Sequence, residues 1–319
     1  MTRKETRFTN FLRSRGFGAI LVGLSAWLVW NTPAMPVDST VLSMIPAPLS
    51  CALSLVMIVG IAAIMVAINR QFTLLKTLSV FFAAYFVYIT AATPGIAARL
   101  SVSAILAAVV LSCMWILYSL YNRRYSDRRI FLIFCMLSGG TLLDWKFLFF
   151  IPLFIVGLAQ MRILRFKKII AAIIGLITPP WIAFGSGLMK IPQIPDIYYT
   201  PPSLLLEGEC DMPFLCIVAF TMLTGFVFGS VGLFRMLGFN SRARAFNGFL
   251  ALLGIYTGVL AIINFTRLED YLILLNACVA FQTGHFFRVM TTRRGYIAIL
   301  LLLAAYAGLY LWSVRISNF

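Results

Sequence analysis

The sequence predicts an all-α integral membrane protein, a polytopic bundle of about eleven spans with its N-terminus in the cytoplasm. Three observations lead to this prediction: the composition, a series of apolar runs, and the placement of basic residues between those runs. Of the 319 residues, 61% are hydrophobic and only 11% are charged, with a mean hydropathy of +0.96. One soluble core has too little volume to hide so much apolar surface, so lipid must cover the remainder.

The second observation is the series of apolar runs, of which there are eleven. Several are shorter than the roughly 20 residues that cross a bilayer without tilt or local thinning. Run 130–143 is one of these short runs, and with Gly139 and Gly140 its pattern is also typical of a re-entrant segment. The runs cover residues 17–30, 46–69, 77–93, 100–121, 130–143, 147–161, 169–189, 214–234, 246–265, 271–287 and 296–314.

The third observation is the alternation of basic residues between the two sides of the membrane. With eleven crossings and a cytoplasmic N-terminus, all but five of the 26 lysines and arginines lie in the cytoplasm, as the positive-inside rule requires. If run 130–143 did not cross, the next basic cluster, at 162–168, would lie outside. We therefore predict that this run crosses and that the C-terminus is external. The five exceptions are Arg99, Lys146, Lys190, Arg267 and Arg315.

Carboxylates show the opposite distribution, because this topology places eight of the ten on the outer side. Acidic residues contribute little to the orientation of insertion, so topology does not by itself explain the bias. Two interpretations stay open: a functional outer surface, or external loops that are simply solvated by acidic residues. The eight are Asp38, Asp144, Asp196, Glu207, Glu209, Asp211, Glu269 and Asp270.

Domain organisation is simple in this prediction. Residues 1–15 carry five basic side chains and form either a solvated cytoplasmic tail or a short interfacial helix on anionic headgroups. Run 17–30 has the pattern of a signal peptide, and its tryptophans favour an uncleaved anchor. Residues 16–319 then form a single transmembrane domain. Its longest external loop, 191–213, contains several prolines and acids and is either a binding element or a passive cap.

Several kinds of chemistry are excluded by the residues present. His285 is the one histidine, so the histidine sets that hold haem, non-haem iron or zinc are missing. Phosphate-binding glycine loops, dinucleotide fingerprints and nucleophile elbows are absent as well, which argues against a nucleotide cofactor. Cys210 and Cys216 lie near the outer face, and the sequence leaves open whether they pair.

Two features of the outer half are candidates for a site. Lys146 and Arg267 each lie beside carboxylates at the start of an apolar run, where they either bind an anionic headgroup such as a lipid phosphate or form local ion pairs. Pro179 and Pro180 fall inside a span, and we expect them to kink or break its helix. Such a break either lines a cavity or is only a structural bend.

The stretch around Lys146 also resembles known families. Residues 146–162, with Gly175 to Pro179, resemble an uncharacterised bacterial multi-pass family that is sometimes labelled a beta-carotene monooxygenase, a label that needs several iron-binding histidines. Thr-Leu-Leu-Asp-Trp-Lys at 141–146, the apolar run to Pro152 and the basic turn after it are similar to polyprenyl-phosphate-sugar glycosyltransferases of the GT-C type. That resemblance implies that Lys146 contacts a lipid phosphate. It also implies that Asp38, in the first external loop, acts as a base or binds a divalent metal.

Together these observations predict a protein of the bacterial inner membrane that takes part in lipid-linked glycan assembly by glycosyl transfer at the outer face. Its expected partners are the bilayer and a polyprenyl-phosphate lipid, and not nucleic acid, because topology accounts for the net charge of +16. The alternative is a non-enzymatic scaffold, or a subunit of an envelope complex, that docks a partner protein through loop 191–213.

Overall fold

A computed structural model describes residues 14–32, 45–75, 80–93, 95–122, 127–187, 212–236, 238, 240–264, 267–289 and 293–317. Every regular element in these residues is helical, which confirms the predicted all-α fold for this part of the chain. The elements, in chain order, are α1 (Arg15–Trp30), α2 (Ala47–Phe72), α3 (Phe81–Ala91), α4 (Val102–Ser119), α5 (Asp127–Thr141), a 3-10 helix (Trp145–Phe149), α6 (Phe150–Gln160), α7 (Phe166–Gly185), α8 (Met212–Met236), α9 (Ser241–Ile263), α10 (Glu269–Val289) and α11 (Arg293–Ser317).

Six of these helices are long and apolar enough to cross a membrane: α2, α4, α7, α8, α9 and α11. Helices α1 and α3, and the 3-10 helix continued by α6, are apolar but shorter. Run 130–143 does form a helix, the 15-residue α5. A membrane-embedded bundle is therefore supported, and the number of eleven crossings stays a prediction.

Helix α10 is the centre of the bundle. It packs against α3, α4, α8 and α9, and its residues from 271 to 287 are buried apart from the half-buried Phe286. Aromatic rings fix these contacts: Phe281 stacks on Phe82 with 5.2 Å between ring centroids, and Phe287 stacks on Phe81 at 4.6 Å. A helix surrounded by protein does not need an apolar surface for lipid, so α10 can carry the polar side chains described below.

Helix α7 shows how the bundle accommodates its proline pair. It runs without interruption through Pro179 and Pro180 to Gly185, so the predicted broken helix is wrong, while a bend stays a prediction. Pro180 has no N–H for the carbonyl of Leu176 four residues earlier. The hydroxyl of Ser138 on α5 donates to that carbonyl at 2.5 Å and replaces the missing bond. Gly175 lets the two helices approach, because a Cβ there would lie 2.6 Å from the carbonyl oxygen of Phe131.

Contacts at the two ends of the bundle join segments that the sequence placed on the same side. At one end, which we call the basic end, α2, α4 and α6 finish and α9 begins. There the Tyr118 hydroxyl donates to the carbonyl of Phe246 at 2.7 Å. At the other, the acidic end, α2, α4 and α10 begin and α5 finishes. There the amide of Ile273 donates to the hydroxyl of Ser103 at 3.1 Å.

Several predicted features lie outside the described residues. They are the tail up to residue 13, Asp38, and the loop 191–213 apart from its last two residues, which begin α8 at Met212. Glu207, Glu209 and Asp211 belong to that loop. Cys210 also lies outside, whereas Cys216 lies on α8 and is a free thiol.

Candidate functional site at the acidic end

The chain turns back after α5 through a short 3-10 helix that positions Lys146. Glycine at 140 permits this turn, since a Cβ there would overlap the ring of Phe147. The carbonyl of Gly140 then accepts hydrogen bonds from the amides of Leu143 at 2.9 Å and Asp144 at 3.1 Å. Asp144 caps the 3-10 helix, because its Oδ1 accepts from the amide of Lys146 at 3.0 Å.

Lys146 lies between two carboxylates and is almost completely buried, with 2% of its surface exposed. Its ammonium is 3.2 Å from Oδ2 of Asp144 and forms a second, hydrogen-bonded ion pair with Asp270. A lone buried ammonium would be strongly destabilising, so both carboxylates are needed to balance it. We call Asp144, Lys146 and Asp270 the outer cluster.

Asp270 enters the outer cluster from the first turn of α10. A carboxylate at a helix N-terminus interacts favourably with the helix dipole. Burial raises the pKa of Asp270, and the positive charges of Lys146 and Arg267 partly oppose that effect. At the next residue, the hydroxyl of Tyr271 accepts a hydrogen bond from the side-chain Nδ2 of Asn264 at 3.2 Å. Asp270 is therefore a carboxylate at the N-terminal end of the central helix, and its raised pKa increases its tendency to hold a proton.

The structure brings together some of the residues that the sequence singled out. Asp144, Lys146 and Asp270 meet, and for Lys146 this is the local ion pair that the sequence left open as an alternative. This pair is not on a solvated surface, because Lys146 is buried. Arg267 is exposed and lies close enough to Asp270 to lower its pKa. Glu269, which immediately precedes Asp270 in the chain, is also exposed.

A divalent metal at this end would need further ligands. In the part of the chain that the structure describes, no group of three or more His, Cys, Asp or Glu residues is placed to hold one. Asp144 and Asp270 both face the lysine ammonium, which occupies the place that a cation would take. Asp38, the predicted catalytic residue and metal ligand, lies outside the described residues.

Sequence reasoning missed a second polar region, in the half of the bundle toward the basic end. Gln282 on α10 is 8% exposed and lines a cavity of about 10 Å³ together with His285 and Asn247. Three glycines make room for its amide: a Cβ at Gly225, Gly229 or Gly254 would lie 3.1 to 3.3 Å from the amide atoms of Gln282. The sequence contains these glycines on two helices, Gly225 and Gly229 on α8 and Gly254 on α9, but only the fold shows which side chain they surround.

Two side-chain oxygens in this region are without partners in the part of the chain that the structure describes. Neither Oε1 of Gln282 nor Oδ1 of Asn247 has a hydrogen-bond partner among the described residues, although both are buried. The amide nitrogen of Asn247 donates to the carbonyl of Ala243 at 3.0 Å, which fixes the orientation of that side chain and leaves its oxygen unpaired.

The chain matches no known family model, and neither a curated protein sequence nor a solved structure is significantly similar to it.

Proposed function

We propose that this protein transfers a glycosyl group from a polyprenyl-phosphate carrier at the outer face of the bacterial inner membrane, as a GT-C-like step in envelope glycan assembly. The proposal takes the basic end as cytoplasmic, the acidic end as external, the N-terminus as cytoplasmic and all eleven runs as crossings. The observation that supports it most is the outer cluster, in which a buried lysine holds a carboxylate at the end of the central helix.

The outer cluster suggests roles that differ from those first expected. Because the ammonium of Lys146 is already shared by two carboxylates, the exposed Arg267 is the better contact for a lipid phosphate. Asp270 is suited to accept the proton of an acceptor hydroxyl, since a base works best when its pKa approaches the working pH. Lys146 then positions Asp270. Asp38 keeps its predicted role as a second acid or metal ligand.

The proposed step balances in atoms and charge. An acceptor oxygen attacks the anomeric carbon, and the bond between that carbon and the phosphate oxygen breaks. The proton of the acceptor hydroxyl goes to the carboxylate of Asp270. The leaving polyprenyl phosphate carries the electron pair of the broken bond, and the guanidinium of Arg267 stabilises its negative charge.

The test compares two neighbouring carboxylates in cells that lack the gene. Cells without the protein should accumulate a lipid-linked saccharide, measured by mass spectrometry of lipid extracts, and wild-type protein should clear it. Asp270→Asn should fail to clear it, whereas Glu269→Gln, one residue away and exposed, should succeed. The clearing rate should increase as the external pH rises through the pKa of Asp270, because only the deprotonated carboxylate accepts a proton.

Asp38→Asn tests the remaining role in the same cells. It should abolish clearing while leaving the amount of protein in the membrane unchanged. Lipid extracts that are identical with and without the gene would reject glycosyl transfer altogether.

The scaffold alternative has one observation in its favour. The charges of the outer cluster pair with one another, so the cluster could have a purely structural role. In that case loop 191–213 docks an envelope protein. Crosslinking from Tyr198 should then capture the same partner protein from wild-type cells and from cells with Asp270→Asn. Lipid extracts unaffected by the gene, together with such a crosslink, would select this function.

A further inference from the structure

At the basic end, the chain turns from α6 into α7 through residues 162–167, which we call the basic turn. Its cations are all exposed, and they are Arg162, Arg165 and Lys167. The two apolar side chains that separate these cations, Leu164 and Phe166, are exposed as well, Phe166 by 78%. Cations interleaved with exposed apolar side chains are typical of the boundary between the headgroups and the acyl chains of a bilayer.

Backbone hydrogen bonds fix the shape of the basic turn. The amide of Asn122, just beyond the end of α4, donates to the carbonyl of Met161 at 3.3 Å, and the amide of Ile163 donates to the carbonyl of Leu158 at 3.1 Å. Arg162 has a φ of 59°, a left-handed conformation that residues other than glycine adopt only rarely. The fold therefore holds this exposed arginine in one defined backbone conformation.

The positive charge of the basic turn is not balanced within the described residues. No carboxylate there forms an ion pair with Arg162, Arg165 or Lys167. Asp127, the first residue of α5, instead interacts electrostatically with the buried Lys168. Three exposed positive charges are thus available to an anionic partner.

Helix α7 continues from the basic turn and has two faces that differ in the size of their side chains. The face that packs against α5 carries the small residues Ala172, Gly175 and Ala183. The opposite face is exposed and carries large side chains, Ile170, Ile173, Ile174, Ile177 and Trp181. Among the six long apolar helices of the described chain, α7 is the least buried. Contacts between helices in a bilayer favour small residues, so this large exposed face suits acyl chains better than another helix.

We propose that the basic turn and the exposed face of α7 together bind an anionic phospholipid. The headgroup lies against Arg162, Arg165 and Lys167, whose charge complements its own, and the acyl chains lie along α7. The positive-inside rule requires cations at this end of the bundle. It does not require that they lie on a fixed turn, interleaved with Leu164 and Phe166, at the start of the least buried span. The site lies at the opposite end of the bundle from the outer cluster and does not depend on glycosyl transfer.

The test is native mass spectrometry of the purified full-length chain in detergent, titrated separately with phosphatidylglycerol and with phosphatidylcholine. The ratio of the two dissociation constants for the first bound lipid measures the preference for a net negative headgroup. Wild type should prefer phosphatidylglycerol, and Arg165→Gln should reduce that preference about fivefold, the share of one basic residue at a membrane surface. Arg162→Gly removes another charge and suits the positive φ, so it should give a similar reduction without lowering the unfolding temperature.

Arg70→Gln is the matched control. Arg70 is also exposed at the basic end, but it lies in the last turn of α2, which packs against α3 and α4. Its loss should change the preference by less than about twofold, because charges outside the contact are screened. Equal affinity of wild type for the two lipids, or equal reductions in the Arg70 and Arg165 variants, would overturn the proposal. A dimer in the same spectra that Ile173→Trp abolishes would also overturn it, because a second copy of the chain would then cover α7.

Discussion

The outer cluster and the Gln282 cavity both contain polar side chains of α10 inside the fold, but they differ in whether those polar groups have partners. At the acidic end, Lys146 is enclosed by Asp144 and Asp270, so each charge has a partner within the fold. Around Gln282, three glycines clear space for an amide whose oxygen has no partner among the described residues. The first region is complete without a ligand, while the second retains an unsatisfied acceptor.

This difference determines how substitutions in each region should change the stability of the protein. A buried ion pair offsets its own desolvation only while both charges remain, so the outer cluster should be sensitive to the loss of one member. An unpaired buried oxygen already costs stability in the native state. Its removal should therefore do the opposite. Substitutions that remove a polar group should therefore lower the free energy of unfolding in the outer cluster and raise it at Gln282.

The largest expected effect is that of Lys146→Met. The methionine has a similar length but leaves the half-buried carboxylates of Asp144 and Asp270 facing each other without a cation. The free energy of unfolding should therefore fall by about 3 kcal/mol, the lower end of the range for a buried pair that loses one partner. Unfolding in mixed detergent, followed by circular dichroism, measures the change. Adding Asp270→Asn to Lys146→Met should recover part of the loss, because it removes one of the two unpaired charges.

Arg267→Gln is the matched control for that substitution. It also removes one positive charge near Asp270, but Arg267 is exposed, and an exposed pair contributes about 0–1 kcal/mol. A Lys146→Met protein as stable as the Arg267→Gln protein would contradict the closed outer cluster. Such a result would favour the sequence-based prediction that Lys146 binds a lipid phosphate.

The sequence predicted the helical bundle well because the relevant signals are local. Apolar runs and basic loops locate helices and sides of a membrane without any knowledge of packing. The run 130–143 is an example: the alternation of basic clusters required a crossing there, α5 confirms a helix, and the crossing itself stays a prediction. The residues of the outer cluster were also all noted, because Asp144 and Lys146 lie two residues apart in the sequence and Asp270 immediately precedes an apolar run.

The burial of Lys146 and its ion pair with Asp270 could not be predicted, because both depend on contacts between distant parts of the chain. The partner of Lys146 on α10 lies 124 residues away in the chain, and only the packing of α10 at the centre of the bundle brings it close. The same reason explains the error at Pro179 and Pro180. Their missing donors are visible in the sequence, but the compensating hydroxyl of Ser138 lies on another helix.

An intermediate effect of the opposite sign is expected for Gln282→Met. Methionine fills nearly the same space within the glycine wall and removes the unpaired Oε1, so the free energy of unfolding should rise by about 1 kcal/mol. Asn69→Leu is the comparison. Oδ1 of Asn69 accepts a hydrogen bond from the amide of Leu75 at 2.9 Å, so that substitution should destabilise the protein. Destabilisation by Gln282→Met would mean that this oxygen is paired in the membrane.

The smallest expected effect is that of Ser138→Ala. It concerns the backbone carbonyl of Leu176 on α7, whose hydrogen-bond donor comes from another helix, α5. The carbonyl of Leu176 has lost its helical donor to Pro180 and accepts from the Ser138 hydroxyl instead. Removing that hydroxyl should cost about 0.5 kcal/mol of unfolding free energy, the lower end of a hydrogen bond's net contribution, because this bond is only partly buried. In a Pro180→Ala background the residue at 180 regains its N–H, so the same serine substitution should cost much less.

A double-mutant cycle measures the coupling energy between Ser138 and Pro180, and that energy tests whether the serine compensates for the proline. A cycle with no coupling would show that Ser138 stabilises α5 and α7 through packing, and that the proline pair is tolerated for another reason.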